Sequence, residues 1–279
     1  MIIAKSYLYI PAIKEKYYEN IKLYDPEAII FDIEDSVLLE KKDEARTLLL
    51  KFLSKTKIIG KKIFIRINSE PSQNKEDIKL INQIADKITG VFIPKIKTSK
   101  EINKLCQKID NNKLLIIPLI ETPESILNLE DIASNNFVKS LALGEIDLSH
   151  SLNINPKNGY KQMIPIRLFL NIVLAAYKKH APIGPVWLNI EDDKGYKNHV
   201  EIIKNLGYSG VQLIHPSQIK LANEIFKHSE DEIIWAKFVL KKSNDSSTNT
   251  GSFKDKDNLM VDEAIIKRAK KIIEEFENN

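Results

Sequence analysis

Ala28-Ile29-Ile30-Phe31-Asp32-Ile33-Glu34-Asp35-Ser36 decides the fold. Four apolar residues in a row, with no polar alternation, run into a cluster of carboxylates. A strand with one wet face alternates, whereas a strand covered on both faces reads as a continuous apolar run, the habit of parallel sheets. Seven more such runs lie along the chain, at residues 6–10, 63–68, 90–94, 114–120, 140–144, 186–190 and 210–215. Between them come helical patterns over residues 41–53, 78–88, 100–109, 125–133, 166–179 and 199–206. Strand and helix alternating eight times predict an α/β fold of the closed (β/α)8 TIM-barrel type. An open doubly wound sheet is the rival architecture. No G-x-G-x-x-G follows any strand, which weighs against its dinucleotide-binding form.

Past the eighth strand, residues 219–226 and 230–242 read as helices. Residues 243–256, rich in Ser, Asn, Thr, Asp and Lys, read as a mobile polar linker, and residues 261–276 as a last helix. The expected division is a barrel over residues 1–228 and a C-terminal helical extension over residues 229–279. An α/β barrel occupies roughly 250 residues as one domain, so the 279-residue chain needs no second large core.

The composition is that of an ordinary globular protein, with 43% hydrophobic and 29% charged residues. The formal net charge is +4, and the charges are scattered. The basic stretch Lys267-Arg268-Ala269-Lys270-Lys271 reads as a solvated helix face, so no nucleic-acid partner is expected. Cys106 is the only cysteine, which excludes an intrachain disulfide and a cysteine-rich zinc site. It reads as a small packed residue. The first twelve residues lack a signal-peptide core, and no apolar run approaches the roughly 20 residues of a membrane helix. The expectation is a cytoplasmic protein with no membrane association.

In a barrel the C-terminal strand ends form the active face. Here they carry Asp32, Glu34 and Asp35; Arg66 and Asn68; Lys95; Glu121; Asp147; and His215. Charge at so many strand ends is costly to bury unless it is paired or metal-bound. Glu121 and Asp147, from adjacent strands, suit a hard cation such as Mg2+, which takes one or two carboxylates and keeps positions for water or substrate. Arg66 beside such a cation suits a 2-oxo acid, whose carboxylate a guanidinium grips.

These blocks occur in the order of one family. Lys5 to Pro11, Phe31 to Val37 with Lys41 and Ala45-Arg46, Arg66-Ile67-Asn68, Pro94-Lys95, Ile120-Glu121-Thr122, Gly144 to Ser149, Ile214 to Ile219 and Met260-Val261-Asp262 together resemble the HpcH/HpaI aldolase/citrate lyase superfamily. Within it they resemble the citrate lyase β-subunit-like branch, which includes malyl-CoA and citramalyl-CoA lyases. The resemblance implies a magnesium-dependent carbon–carbon lyase. Its substrate would be a 3-hydroxy-acyl thioester of CoA or acyl-carrier protein, split to a 2-oxo acid and an acyl thioester. It implies Glu121 and Asp147 as Mg2+ ligands and Arg66 as the oxo-acid residue. Asp32, Glu34 and Asp35 would order Arg66 and metal-bound water, with Asp35 also a catalytic candidate. Lys5 and Lys95 would contact substrate. Asp262 would be an acid/base residue brought by a neighbouring subunit of a homo-oligomer, a trimer or hexamer. Lys5 stands where the family usually has Arg, and Asp257-Asn258-Leu259 where it usually has Gly and Lys.

Plainer roles compete. Asp35 suits a helix cap, Asp262 suits a first-turn helix acid, and His215 suits a hydrogen-bonded structural residue. His150, His180, His199 and His228 lie in polar contexts that need no function. Two other functions stay open: a pyruvate-type class II aldolase acting on free hydroxy-oxo acids, and a non-catalytic barrel that binds or regulates.

Overall fold

Successive side chains of a strand point to opposite faces, and in a closed barrel one face fills the interior while the other packs under the helices. The computed structural model shows this arrangement and describes residues 4–56, 58–155, 161–244 and 252–277. Eight parallel strands close in sequence order. They are β1 (Ser6–Pro11), β2 (Ala28–Asp32), β3 (Lys62–Arg66), β4 (Gly90–Ile93), β5 (Leu115–Ile120), β6 (Ala142–Leu143), β7 (Ile183–Gly184) and β8 (Gly210–Leu213). The helices among them are α1 (Glu15–Glu19), α2 (Lys42–Lys55), α3 (Pro71–Ile84), α4 (Ser99–Cys106), α5 (Pro123–Leu127), α6 (Leu129–Ser134), α7 (Glu145–Ser151), α8 (Ile164–Ala176), α9 (Asp193–Asn205) and α10 (Ser217–Phe226).

Tyr7, Ala28, Ile30, Phe64, Phe92, Leu115, Ile117, Leu119, Ala142 and Ile183 form one buried cluster, the filling of the barrel. Their strand neighbours Leu8, Ile29, Phe31, Ile63, Ile65, Val91 and Ile116 belong to a second cluster, shared with the helices. Tyr7, Phe64 and Phe92 meet at ring-centroid distances of 5.3–6.1 Å. The period of two then sets what stands above this filling. Two residues past Tyr7 is Tyr9, past Ile30 is Asp32, past Phe64 is Arg66 and past Leu119 is Glu121. The strand register places Asp32 beside Arg66 and Pro11 beside Asp32.

Seven strands fall where the apolar runs predict them. The seventh does not: β7 is Ile183–Gly184, before the predicted residues 186–190. Pro182 and Pro185 flank it, and proline cannot donate to a ladder. Leu188, 48% exposed, belongs to the loop beyond the strand. His199 also departs from its expected polar context. It is buried, a ring nitrogen lies 3.2 Å from the Pro185 carbonyl, and burial drives its pKa down to about 3.

A buried polar network joins the ends of β2 and β3. Lys42 Nζ donates to the Ile33 and Glu34 carbonyls and to Asn68 Oδ1. Asp77 accepts from Arg46 Nε at 2.7 Å and from the Asn68 backbone N–H at 2.6 Å. The blocks Ala45-Arg46 and Arg66-Ile67-Asn68 of the sequence are thus two sides of one structural clamp.

The chain divides into two compact units, one within Ile3–Phe226 and one within Lys227–Asn279. The second contains α11 (Glu230–Ser243), the antiparallel pair β9 (Phe253–Lys254) and β10 (Met260–Val261), and α12 (Glu263–Glu277). Of the polar stretch 243–256, residues 245–251 lie outside the described residues, as do residues 156–160 in the first unit. The rest of that stretch is more ordered than its composition suggests. Asp255 accepts from the N–H groups of Asp257 and Leu259 and from Trp235 Nε1, which builds the β9–β10 turn. Ala236, Val239, Val261, Ala269 and Ile272 form this unit's own core, with Ile265, Ile266 and Ile273 packed against it. No helix among the described residues is long and apolar enough to cross a membrane.

Without Asp77, Arg46 keeps Asp43 and Gln73, but its buried Nε and the Asn68 N–H lose their acceptor. Asp77→Ala should therefore lower stability by about 1–3 kcal/mol in urea unfolding; a loss below about 0.5 kcal/mol would show the network to be dispensable.

Candidate active site

The polar layer above the barrel filling opens into a cavity of about 430 Å3, lined by Tyr9, Asp32, Arg66, Glu121, Asp147 and Gln212 among others. That volume lies within the range of small-molecule sites. Asp32 grips Arg66 in a fork, accepting from Nε and Nη2 at 2.7 Å each. Burial pushes the Asp32 carboxyl up, but the guanidinium charge and its hydrogen bonds outweigh this and hold it below the usual range. The same carboxylate also accepts from the Glu34 and Ser36 N–H groups, tying the turn after β2 to the pair. The Tyr9 ring faces the guanidinium at 4.9 Å, while its hydroxyl donates to Gln212. Gln212 Nε2 in turn donates to the Leu143 and Gly184 carbonyls. Arg66 therefore has its plane fixed from the side and from a neighbouring ring.

Glu34 is buried between Arg66 Nη1 at 3.3 Å and Lys95 Nζ at 3.1 Å. Its Oε2 nevertheless makes no hydrogen bond, and burial raises its pKa. Lys95 has a left-handed backbone, φ 55°, which a non-glycine residue holds at a cost of order 1 kcal/mol. This conformation turns its N–H onto Glu121 Oε1 at 2.7 Å. Burial, with the charges of Glu34 and Asp147 adding, pushes Glu121 up to about 8. Thr122 next to it caps α5 through the Ser125 N–H, so strand gives way to helix directly after the carboxylate. Gly144 stands opposite. A Cβ there would lie 2.5 Å from Glu121 Oε2, so glycine alone leaves room for that oxygen. Asp147 follows on α7, exposed at the mouth.

Asp32, Glu34, Asp35, Arg66, Lys95, Glu121 and Asp147 are thus brought together, as the strand-end reading expects. Asp35 lies 3.7 Å from both Arg66 and Lys95. It does not cap a helix, because α2 starts at Lys42 with Lys41 as its N-cap. Lys5 is not brought to the mouth. It precedes β1, about 15–20 Å of strand away, and pairs with Glu27 at 3.3 Å. Asp262 belongs to the second unit, where Oδ1 accepts from the Ile265 N–H in the first turn of α12. His215 bonds Ser217, a structural use. Sequence reasoning missed Tyr9 and Gln212, which the period of two within β1 and β8 could have found, and Gly144. It also missed the buried pair of Glu145 with Arg167, 22 residues apart, for which no sequence signal exists.

Among the described residues no group of three or more His, Cys, Asp and Glu is arranged to hold a metal. A cation here would rest on Glu121 and Asp147 plus water or substrate oxygens. Magnesium accepts that hard, two-carboxylate donor set, and the unfavourably buried charge of Glu121 gives it a reason to bind.

Comparison with known proteins identifies the family. The HpcH/HpaI aldolase/citrate lyase family model matches residues 5–216, and the chain belongs to that family. It is 29% identical over 233 residues to a (3S)-malyl-CoA thioesterase of Cereibacter sphaeroides, covering 82% of this chain and 79% of that protein. It is 24% identical over 282 residues to the citrate lyase subunit beta of Leuconostoc mesenteroides subsp. cremoris, covering 96% and 92%. A crystal structure of the CitE protein of Mycobacterium tuberculosis with magnesium, acetoacetate and coenzyme A superposes with a TM-score of 0.80 at 21% identity. That match covers 98% of each chain.

The raised Glu121 carboxyl predicts a pH dependence for the metal-free protein. A folded-state pKa of about 8, above the unfolded value near 4.3, favours folding while the group is protonated. That contribution is complete below the unfolded value and is lost as pH rises toward 8. In EDTA, the Tm of wild type should fall more between pH 5 and 8.5 than the Tm of Glu121→Gln. Parallel pH profiles would refute the assignment.

Proposed function

We propose that this member of the HpcH/HpaI aldolase/citrate lyase family is a Mg2+-dependent carbon–carbon lyase acting on a 3-hydroxy-acyl thioester. Citryl, malyl or citramalyl thioesters of CoA or acyl-carrier protein are the substrate class. The products are a 2-oxo acid and an acyl thioester. The observation that carries the reading is the Asp32-locked guanidinium of Arg66 on the same polar layer as the charge-burdened Glu121. The relatives named for citrate lyase and malyl-CoA, and the related fold crystallised with magnesium, acetoacetate and coenzyme A, support it.

Magnesium held by Glu121 and Asp147 would supply a Lewis acid for the oxygen that becomes the oxo-acid carbonyl. Arg66 binds the carboxylate of the oxo acid, its orientation already set by Asp32 and Tyr9. Lys95 and Glu34 pair beside Arg66, and Asp35, at the pocket wall, lies within reach of both cations. In the cleavage direction the hydroxyl gives its proton to solvent water at the cavity mouth, its oxygen becomes the oxo-acid carbonyl and the carbon–carbon bond breaks. The electron pair passes to the thioester enolate, which takes up a proton at carbon. We assign that proton transfer to Asp262, supplied by a neighbouring subunit of a homo-oligomer, with a trimer or hexamer as the expected assembly.

A second reading, thioester hydrolysis, is favoured by the name of the 29%-identical relative. Product analysis separates the two. With citryl-, malyl- or citramalyl-CoA and Mg2+, the lyase gives oxo acid and a shorter acyl-CoA with no free CoA. Hydrolysis gives free CoA and the intact hydroxy acid. Turnover only of free hydroxy-oxo acids would instead identify a pyruvate-type aldolase.

Two outcomes are expected of variants. Asp147→Ala abolishes Mg2+-dependent turnover without lowering the Tm. Arg66→Lys, which loses the fork, weakens oxo-acid binding by about 1.5–3 kcal/mol in titration. Unchanged values in either experiment would move the site elsewhere.

The shared-site assignment has its own check. Inactive Asp262→Ala and inactive Glu121→Ala subunits should regain activity when mixed into common oligomers. Mixed oligomers that stay inactive, or a fully active monomer, would refute it.

A further inference from the structure

Glu145 and Arg167 take no part in the chemistry assigned above, yet they form the most deeply buried ion pair among those described, with side chains 0% and 1% exposed. Arg167 Nε and Nη2 donate to the two oxygens of Glu145 at 2.8 and 2.6 Å, a planar fork-to-fork contact. Arg167 lies on α8, and its carbonyl accepts from the Tyr208 hydroxyl at 3.0 Å. Glu145 is the first residue of α7.

Two buried charges each lose several kcal/mol of solvation, and an apolar pair of similar volume would join α7 to α8 without that cost. An apolar contact lacks direction, however. The guanidinium fork fixes the plane and the approach of the carboxylate, and so fixes the rotation of the helix that carries it.

Rotation is what matters in α7. It has seven residues and no side-chain cap at its N-terminus. Glu145 shares its inner face with buried Leu148 and Ser149. At about 100° per residue, position 147 lies about 200° around the helix from position 145. Turning Glu145 inward therefore turns Asp147 outward to the cavity mouth. On the other side, the backbone at Gly144 approaches Glu121 so closely that a Cβ would lie 2.6 Å from the Glu121 Cβ. A shift of this segment would disturb both carboxylates.

We propose that Glu145 and Arg167 are a positioning pair, which sets the rotation of α7 and thereby the geometry with which Asp147 and Glu121 meet a divalent cation. This rests on the reading of those two carboxylates as the cation site.

The Glu145→Gln/Arg167→Met double variant removes both charges while roughly keeping volume. It should unfold cooperatively with a Tm near that of wild type. Its Mg2+ affinity, measured calorimetrically on the full chain, should fall by about tenfold or more, the scale of a lost outer-shell contact. A nitroxide on Asp147→Cys, in a Cys106→Ala background, should move faster in the double variant than in the parent. If the double variant does not fold, Arg167→Lys, which keeps the charge and loses the fork, is read by the same two measurements. Wild-type Mg2+ affinity together with unchanged nitroxide mobility would overturn the positioning role. Glu121→Gln tests the underlying reading. If it binds Mg2+ as tightly as wild type, the cation site is misassigned, and the metal-free nitroxide comparison alone then decides the role of the pair.

Discussion

The fork between Asp32 and Arg66 is the contact on which the mouth of the barrel depends. Below it the interior is filled by Ile30, Phe64, Phe92 and their neighbours, with no solvent to receive a charge. Opposite charges can stand inside only on the last inward layer, and there only as partners. The β2–β3 register supplies the partners side by side. From this pair the contacts run outward in sequence. Asp32 folds the turn that carries Glu34, Glu34 meets Lys95, the Lys95 N–H holds Glu121, and Glu121 fills the space that Gly144 leaves. Each functional side chain is placed by the one before it.

This arrangement leaves negative charge in excess. Asp32, Glu34, Asp35, Glu121 and Asp147 outnumber the cations described beside them, Arg66, Lys95 and Lys42. Glu121 answers this crowding by keeping its proton at neutral pH, its carboxyl pushed up to about 8 by burial, with Glu34 and Asp147 adding. An anionic substrate entering such a site alone would meet repulsion on the side away from Arg66. On the function proposed above, a divalent cation between Glu121 and Asp147 would remove that repulsion, so that cation and oxo acid would favour each other's binding.

The fold was legible because buried parallel strands write themselves as apolar runs, and seven of the eight could be placed from those runs alone. The seventh was misplaced because β7 is two residues long, and the more apolar stretch around Trp187 and Leu188 lies past its end. The charged strand ends were legible for the same reason: a carboxylate after four buried residues stands out. What escaped was whatever depends on distance in space rather than in sequence. Glu145 and Arg167 give no joint signal, and Lys5 matched the family block while lying at the opposite end of its strand. Asp262 reads equally well as a helix cap, which its bond to the Ile265 N–H makes it, and as a catalytic acid. The two uses are compatible, because among the described residues the cap engages Oδ1 alone. On α12, Ile265, Ile266, Ile272 and Ile273 pack into the core that this unit forms with α11, leaving Phe276 exposed.

The state of Arg66 bears on how such a site would select its ligand. Nε and Nη2 are committed to Asp32, so the guanidinium needs no reorientation when a carboxylate arrives. Nη1 is held more loosely. The Glu34 oxygen facing it is 3.3 Å away and makes no hydrogen bond, although it is buried. A substrate carboxylate can take that nitrogen without breaking the fork, while Glu34 keeps Lys95. The cost of ordering the arginine is met when the barrel folds rather than when substrate binds, which is the condition under which a fixed charge favours a transition state over free reactants. The same logic explains why Tyr9 faces Arg66. An aromatic ring accepts the cation without competing for its hydrogen bonds, so Nη1 meets only the looser carboxylate contacts of Glu34 and Asp35, at 3.3 and 3.7 Å.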